Sequence, residues 1–293
     1  MRVLIIGCGY VGLPLGAELA RRGHEVVGVR RTAESAEELL AAGITPAVAD
    51  VTRPETFAAL SGSFDWMVNA VSSTKGGAAE YRAVYLEGTR HLLDWLATRS
   101  PQKYVHLSST SVYGQTDGSL VDETAPTTPA SETSQLLVET ERLLLDAARA
   151  RNFPADILRV AGIYGPGRGH LFQQYLRGEA RIAGDGSRRL NMIHLDDVVG
   201  GIIAAFERGR AGDVFNAADD ESVSQLDFFQ WLAVKLNRPL PPFATEAENT
   251  ARKRGLTNKR VANARLKSAL SYVFKYPTFR EGYASEIARL GLI

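Results

Sequence analysis

Short apolar runs of strand length alternate with longer stretches of helical period through the first half of the chain. Val3–Ile6 is the first run, followed by an apolar-periodic stretch through Ala20 to Gly23 and a second strand over Glu25–Val29. Ala33–Ala42 reads as a helix closed by Gly43, Thr45–Ala49 as a strand ending at Asp50, and a short helix begins near Pro54, which suits a first helical turn. Asp65–Val71 is a buried strand, Ala79–Thr98 a long amphipathic helix, Lys103–Leu107 the next strand, and residues 132–150 another helix. Such alternation predicts a parallel sheet covered on both faces, with ligands outside the carboxyl ends of its strands.

Those ends therefore belong together: the turn over residues 7–12, Arg30-Arg31, Asp50-Val51, Ala70-Val71-Ser72-Ser73, Leu107-Ser108-Ser109 and the segment after Arg159. The first is a glycine-punctuated turn, Gly7-Cys8-Gly9-Tyr10-Val11-Gly12, placed directly between strand and helix. Gly7 permits the tight turn, Gly9 lets backbone approach a diphosphate without a Cβ in the way, and Gly12 lets the helix pack on the strand. The helix N-terminus then offers free N–H groups and a positive dipole end, with Tyr10 and Val11 beside it. The order strand, GxGxxG, helix implies a dinucleotide.

The end of the second strand bears on which dinucleotide. An NAD site has Asp or Glu there for the adenosine ribose hydroxyls, whereas this strand ends Val29-Arg30-Arg31-Thr32. Guanidinium groups pair bidentately with phosphate oxygens, so NADP(H) is expected over NAD(H), unless one or both arginines simply face solvent. Asp50 and Val51 follow the third strand; that carboxylate either accepts from an adenine amino group or caps the 54–60 helix. Ala70, Val71 and Ser72, and then Leu107 and Ser108, complete the expected cofactor edge.

Beyond residue 165 the texture changes: Gly165-Pro166-Gly167-Arg168-Gly169 is a loop and Gly184-Asp185-Gly186-Ser187 a hairpin-type turn. Residues 1–165 then form the dinucleotide domain, rejoined by 196–218, while 166–195 and 219–293 form a smaller lobe over the strand ends. With 293 residues, a net charge of +1 and no Lys/Arg-rich run, the chain can bury a sizeable core and shows no nucleic-acid signature. Its one cysteine, Cys8, excludes an internal disulfide, and no His/Cys/Asp/Glu spacing suggests a metal. The N-terminus reads as a core strand rather than a signal peptide and no apolar stretch reaches membrane length, so a soluble cytoplasmic protein is expected.

Later segments carry a resemblance. Leu107-Ser108-Ser109-Thr110-Ser111-Val112-Tyr113-Gly114, Val121-Asp122-Glu123-Thr124-Ala125-Pro126, Arg159 with Ile163-Tyr164-Gly165-Pro166-Gly167, and Met192-Ile193-His194-Leu195-Asp196-Asp197-Val198 resemble the extended short-chain dehydrogenase/reductases, the NAD(P)-dependent sugar epimerases and dehydratases. The resemblance covers nearly the whole chain and implies a doubly wound Rossmann sheet with a C-terminal substrate lobe. It fails where the family has a Tyr-x-x-x-Lys pair whose lysine lowers the tyrosine pKa. The helix here reads Ser131-Glu132-Thr133-Ser134-Gln135-Leu136-Leu137, placing the pair at Thr133 and Leu137 or, shifted by two, at Ser131 and Gln135. Tyr85 stands where the family usually has Asn. These departures are similar to the atypical subgroup, whose members often lack the standard tetrad. Asn258–Leu266 and Lys275-Tyr276-Pro277 resemble uncharacterised bacterial members of it.

The resemblance implies that the Ser109 hydroxyl bonds the substrate oxygen; its alternative role is a turn cap. Tyr113 is the nearest phenol in sequence but an unassisted one, and in the family it mainly shapes the site wall. Tyr85 and Tyr164 are further phenols near strand ends, His194 matches a family position, and His106 reads as strand core. Lys75 lies in a loop that can reach the site or stay solvated. Two functional classes remain: an NADP(H)-dependent oxidoreductase or epimerase on a small polar or nucleotide-linked substrate with a non-standard proton donor, and an NADP(H)-binding sensor without turnover. Helices 79–98 and 132–150 could pair across a two-fold axis, or their apolar faces simply pack on the core.

Overall fold

The structure is a computed structural model that describes residues 1–34, 36–250 and 257–292. In chain order the elements begin with β1 (Arg2–Ile6), α1 (Gly12–Arg21), β2 (Glu25–Arg30), α2 (Ala36–Ala41), β3 (Thr45–Val48) and β4 (Trp66–Asn69). Then follow α3 (Ala78–Tyr81), α4 (Gly88–Trp95), β5 (Lys103–Ser109), β6 (Leu120–Val121), α5 (Glu132–Arg151), β7 (Ala155–Val160), β8 (Gly162–Tyr164) and α6 (His170–Leu176). The chain continues through β9 (Arg189–Leu190), β10 (Met192–His194), α7 (Leu195–Arg208), β11 (Val214–Ala217), β12 (Val223–Ser224) and α8 (Gln225–Leu236). It ends with α9 (Glu246–Thr250), β13 (Arg260–Val261), α10 (Ala264–Ala269) and α11 (Phe279–Arg289).

Seven strands form one sheet in the order β11-β7-β5-β4-β1-β2-β3, parallel and flanked by helices as a doubly wound fold requires. Strands covered on both faces must be apolar throughout, and Val3–Ile6 is at most 1% exposed while all six residues of β7 are buried. Register brings the strand ends level. Ile6 lies opposite Val29 on one side and Asn69 on the other, Arg30 opposite Val48, and Asn69 opposite His106. The loops that leave β1, β2, β3, β4 and β5 therefore emerge along one edge.

The expected helix over 79–98 is instead α3, a π-helical segment over Arg82–Glu87, and α4. The burial pattern accounts for the wide turn: Val84 and Thr89 are both buried and five residues apart, a spacing that an i→i+5 turn aligns. Gly88 then packs so closely on the loop after β3 that a Cβ there would lie 2.8 Å from Val51 Cγ2.

The chain divides into two compact units, Met1–Val112 with Thr128–Arg159 and Val199–Phe215, and Tyr113–Thr127 with Val160–Val198 and Asn216–Ile293. The sequence reading placed residues 113–127 and 160–165 with the nucleotide half. The structure groups them with the C-terminal segments, because β6 pairs in parallel with β13 and the Lys259 ammonium donates to the Tyr113 carbonyl. In the second unit an aromatic core includes Tyr164 stacked on Tyr283 at 4.3 Å, with Phe172, Phe228 and Phe279 buried around them.

The first unit contains a buried ion pair in its core. Arg159 of β7 donates through Nε and Nη2 to the Glu141 carboxylate of α5 at 2.8–3.1 Å, and the Ser108 hydroxyl of β5 donates to Glu141 Oε1 at 2.6 Å. Glu141 and Arg159 are 2% and 5% exposed. Removing one member strands the other charge away from water. Arg159→Met is expected to cost about 3–5 kcal/mol of stability in chemical denaturation, with Glu141→Gln/Arg159→Met together costing less than the sum of the two single changes.

Candidate functional site

The turn after β1 is built around a close backbone approach. Gly7 has φ +86°, and a Cβ on it would lie 2.7 Å from the Val71 nitrogen and 2.8 Å from the Ala70 carbonyl carbon and oxygen. The turn is then stitched on both sides: Cys8 N donates to Val29 O at 2.8 Å, Gly9 N to Gly7 O at 2.8 Å and Leu13 N to Gly9 O at 2.8 Å. Gly9 differs from Gly7. It has no positive φ, it is exposed, and a Cβ on it would meet nothing within 4 Å. Folding does not demand glycine there, whereas a ligand lying against the backbone does.

Immediately beyond, α1 starts at Gly12 with no side-chain cap and no acidic residue in its first turn. Leu13 N is taken by Gly9 O and Pro14 has no N–H, so at this uncapped end the Gly12 amide and the positive end of the dipole are what the helix offers an anion. The Cys8 thiol is buried in this turn and burial pushes its pKa up to about 12, so it stays neutral. Tyr10 is half-buried and Val11 8% exposed.

The two arginines at the end of β2 do different things. Arg30 Nε donates to the Cys8 carbonyl at 2.7 Å and its Nη2 pairs with Glu38 at 2.7 Å, so this guanidinium braces the glycine turn. Arg31 is exposed, with no ion pair to any described residue. Asp50 Oδ1 accepts from Thr52 N at 2.9 Å and Thr52 Oγ1 at 2.8 Å, so its carboxylate closes a local turn rather than capping the 54–60 helix, whose N-cap is Arg53 with no side-chain bond; the Val51 carbonyl lies 2.8 Å from His91 Nδ1.

The loop after β4 is gathered by one carboxylate. Lys75 N and Gly76 N each donate to Glu80 Oε2 at 2.8 Å, and the Ser73 hydroxyl donates to the same oxygen. These bonds, the Ser73 hydroxyl foremost, hold the Glu80 carboxyl down at about 2. Ser73 N donates to the Tyr85 hydroxyl at 3.2 Å, which ties that phenol to the same loop. Ser72 and the Lys75 side chain are exposed.

After β5, Ser108 is turned inward to Glu141, Leu107 is half-buried, and Ser109 stands half-buried at the strand end. Ser109 Oγ accepts from Ser111 N at 3.1 Å, capping the 3-10 turn over 110–112 and leaving its own O–H a donor. Its cap and substrate roles are therefore compatible. Tyr113 belongs to the second unit and is fully buried, with its hydroxyl donating to Asn216 Oδ1 at 2.8 Å. A phenol so enclosed is a wall residue with a satisfied hydroxyl. Tyr164 is likewise buried, and desolvation raises its pKa well above the ordinary phenol value. His194 is 3% exposed between the rings of Tyr164 and Tyr276, and burial lowers its pKa. His106 is 1% exposed and lowered to about 4, hence neutral.

Neither register of the missing pair supplies a base. Ser131 is the N-cap of α5, accepting from Ser134 N at 3.3 Å, and Gln135 Nε2 donates to Pro129 O at 3.2 Å; both are exposed. Leu137 is 5% exposed in the core, with Thr133 half-buried. Three residues that sequence reasoning passed over now stand out: Glu141, Glu80 and Lys259. Glu141 was signalled by its place between Leu137 and Leu144, at spacings of four and three on the buried stripe of α5. Lys259 had no local signal, since the carbonyl it holds is 146 residues away.

Among the described residues no His/Cys/Asp/Glu group could hold a metal, and no helix is long and apolar enough to cross a membrane. Comparison with known proteins agrees with this geometry. The model of the NAD-dependent epimerase/dehydratase family matches residues 3–218. Protein YeeZ of Escherichia coli strain K12 is 27% identical over 286 residues, spanning 94% of this chain and 96% of its own. A 3-diazoavenalumate denitrifying reductase of a Streptomyces species is 27% identical over 313 aligned positions, spanning 98% of this chain and all of its own. A solved structure from Methylobacillus flagellatus, named as a candidate NAD-dependent epimerase/dehydratase, is 32% identical with a TM-score of 0.79, covering 99% of this chain and 98% of the other. The chain belongs to the NAD-dependent epimerase/dehydratase family of oxidoreductases.

Proposed function

We propose that the protein is an NADP(H)-dependent reductase of a small polar substrate whose acceptor atom needs no Tyr-Lys pair. The carrying observation is the unfilled space beside Gly9 at the uncapped start of α1, next to a β2 end that offers the unpaired Arg31 and no carboxylate. In this reading the N–H groups of residues 10–12 hold the diphosphate, with Ala70, Val71, Ser72, Leu107 and Ser108 along the same edge, and Arg31 holds the 2′-phosphate. Arg30 acts through the turn it braces. The unit containing 1–112 is the dinucleotide domain, and the other the substrate lobe.

NADPH supplies the hydride. Ser109 would donate a hydrogen bond from its O–H to the substrate atom that gains negative charge, where a fixed donor is worth more than water, and solvent water would supply the proton that completes the reduction. Because no phenol–lysine pair is present on α5, an imine, activated alkene or similar electron-poor acceptor suits the site better than a plain ketone. The Streptomyces relative, named as a reductase of a diazo compound, is consistent with such acceptors. Tyr113, enclosed and hydrogen-bonded to Asn216, serves as wall rather than proton donor.

The cofactor assignment predicts separable effects. Gly9→Ala is expected to keep the wild-type melting temperature while losing tenfold or more NADPH affinity, roughly the value of one charge-assisted contact. Arg31→Ala should weaken NADPH by about tenfold and leave NADH unchanged, whereas Arg30→Ala should weaken both. Tighter NADH than NADPH binding by the wild type refutes the 2′-phosphate reading. Turnover is checked by following NADPH absorbance with a panel of carbonyl, imine and enone compounds, where Ser109→Ala should lower the rate by about 10- to 1,000-fold. NADPH binding with no turnover across that panel would instead assign the chain a sensing role.

A further inference from the structure

Among the described residues of the second unit, Lys259 is buried as a cation without a counter-charge. It is 5% exposed, and its Nζ donates to the Tyr113 carbonyl at 3.1 Å and to Thr257 Oγ1 at 2.9 Å. Both acceptors are neutral, and the third N–H of the ammonium has no acceptor among the described residues. The elements packed around it carry Tyr113, Asp117, Asp122, Glu123, Arg189 and Arg260, yet none of these forms an ion pair with it. Asp117 and Asp122 cap their own turns, Glu123 accepts from Asn216 N, and Arg260 donates to the Gly118 carbonyl.

The backbone that carries this lysine is held unusually firmly. Asn191 grips it from both sides, donating through Nδ2 to the Lys259 carbonyl at 3.0 Å and accepting from Val261 N at 2.9 Å. Asn258 N donates to Gln115 O at 3.0 Å, and Gly118 N donates to Asn258 O at 2.9 Å. Holding a buried ammonium without a carboxylate works against stability, and a bound anion would offset that cost.

We propose that Lys259 anchors an oxyanion of the substrate, a carboxylate or a phosphate, through its third N–H. The assignment rests on the reading of the second unit as the substrate lobe and adds to it the charge of the substrate: a small anionic acceptor rather than a neutral one. Desolvation lowers the Lys259 pKa to about 8, which sets a pH window. The ammonium is present below that value and lost above it, so anion binding must fade as pH rises through about 8 to 9. The same depressed value means that the unfolded chain binds more protons than the folded one between about 8 and the ordinary lysine value. Folded-state stability from this group therefore rises with pH across that window and is lowest below it.

The test is thermal unfolding of the whole chain with sodium acetate or inorganic phosphate, against sodium chloride of equal ionic strength, at pH 7 and pH 10. In the wild type at least one of the two oxyanions should raise the melting temperature by about 3 °C at tenfold excess over its dissociation constant at pH 7, and not at pH 10. Acetate alone, phosphate alone or both identify the oxyanion class. Lys259→Met should show no anion-dependent rise at either pH, and its melting temperature in chloride should not fall below that of the wild type at pH 7. Equal anion effects at the two pH values, equal effects in wild type and Lys259→Met, or no effect of either anion overturns the assignment; if Lys259→Met fails to fold, the two pH arms of the wild type decide alone. None of these readouts involves NADPH, so a failure here is distinct from a failure of the reductase reading.

Discussion

The turn between β1 and α1 exists only because the Gly7 backbone passes against the peptide joining Ala70 to Val71, closer than any side chain would allow. That contact aims the start of α1 along the sheet edge at which β2, β3, β4 and β5 also end. Once it is fixed, the uncapped Gly12 end of the helix lies on that edge, and Arg30, reaching back to the Cys8 carbonyl, holds the turn from the other side. The open space at Gly9, where a Cβ would meet nothing within 4 Å, is the part of this turn that the fold itself leaves unused.

Much of this was legible in the sequence because it is local. Strand, glycine turn and helix are contiguous, and the apolar runs of β1, β2, β4 and β5 announce a sheet buried on both faces. Side-chain commitments made over long distances were not legible. Arg30 and Arg31 look alike in the chain, yet one is bound to Cys8 and Glu38 while the other is exposed. The π-helical segment at 82–87 was hidden because a five-residue interval between two buried positions reads as noise beside the 3.6-residue period. The grouping of residues 113–127 with the C-terminal unit depends on β6 finding β13, which no local signal reports.

The chemistry follows the same division. Ser109 was recognisable from its neighbours, and its geometry reconciles the two roles weighed for it, since a hydroxyl that accepts from Ser111 N still donates. Tyr113 was recognisable too, but its burial and its bond to Asn216 take the phenol out of reach and leave its carbonyl as the feature in use. Where the resemblance implies a Tyr-x-x-x-Lys pair on one helix, this chain has Thr133 and Leu137 or, shifted by two, Ser131 and Gln135, and it places a buried lysine elsewhere in the fold. The hydroxyl at 109 ends β5 in the first unit, and the ammonium at 259 is buried in the second against two neutral acceptors.

The claim on which these assignments rest is that the amides opening α1 grip a diphosphate. Amide hydrogen exchange with and without saturating NADPH measures it at residue level. The account predicts slowed exchange at Tyr10, Val11 and Gly12 when the dinucleotide is bound; unchanged exchange at those three amides, with NADPH demonstrably bound, would contradict it.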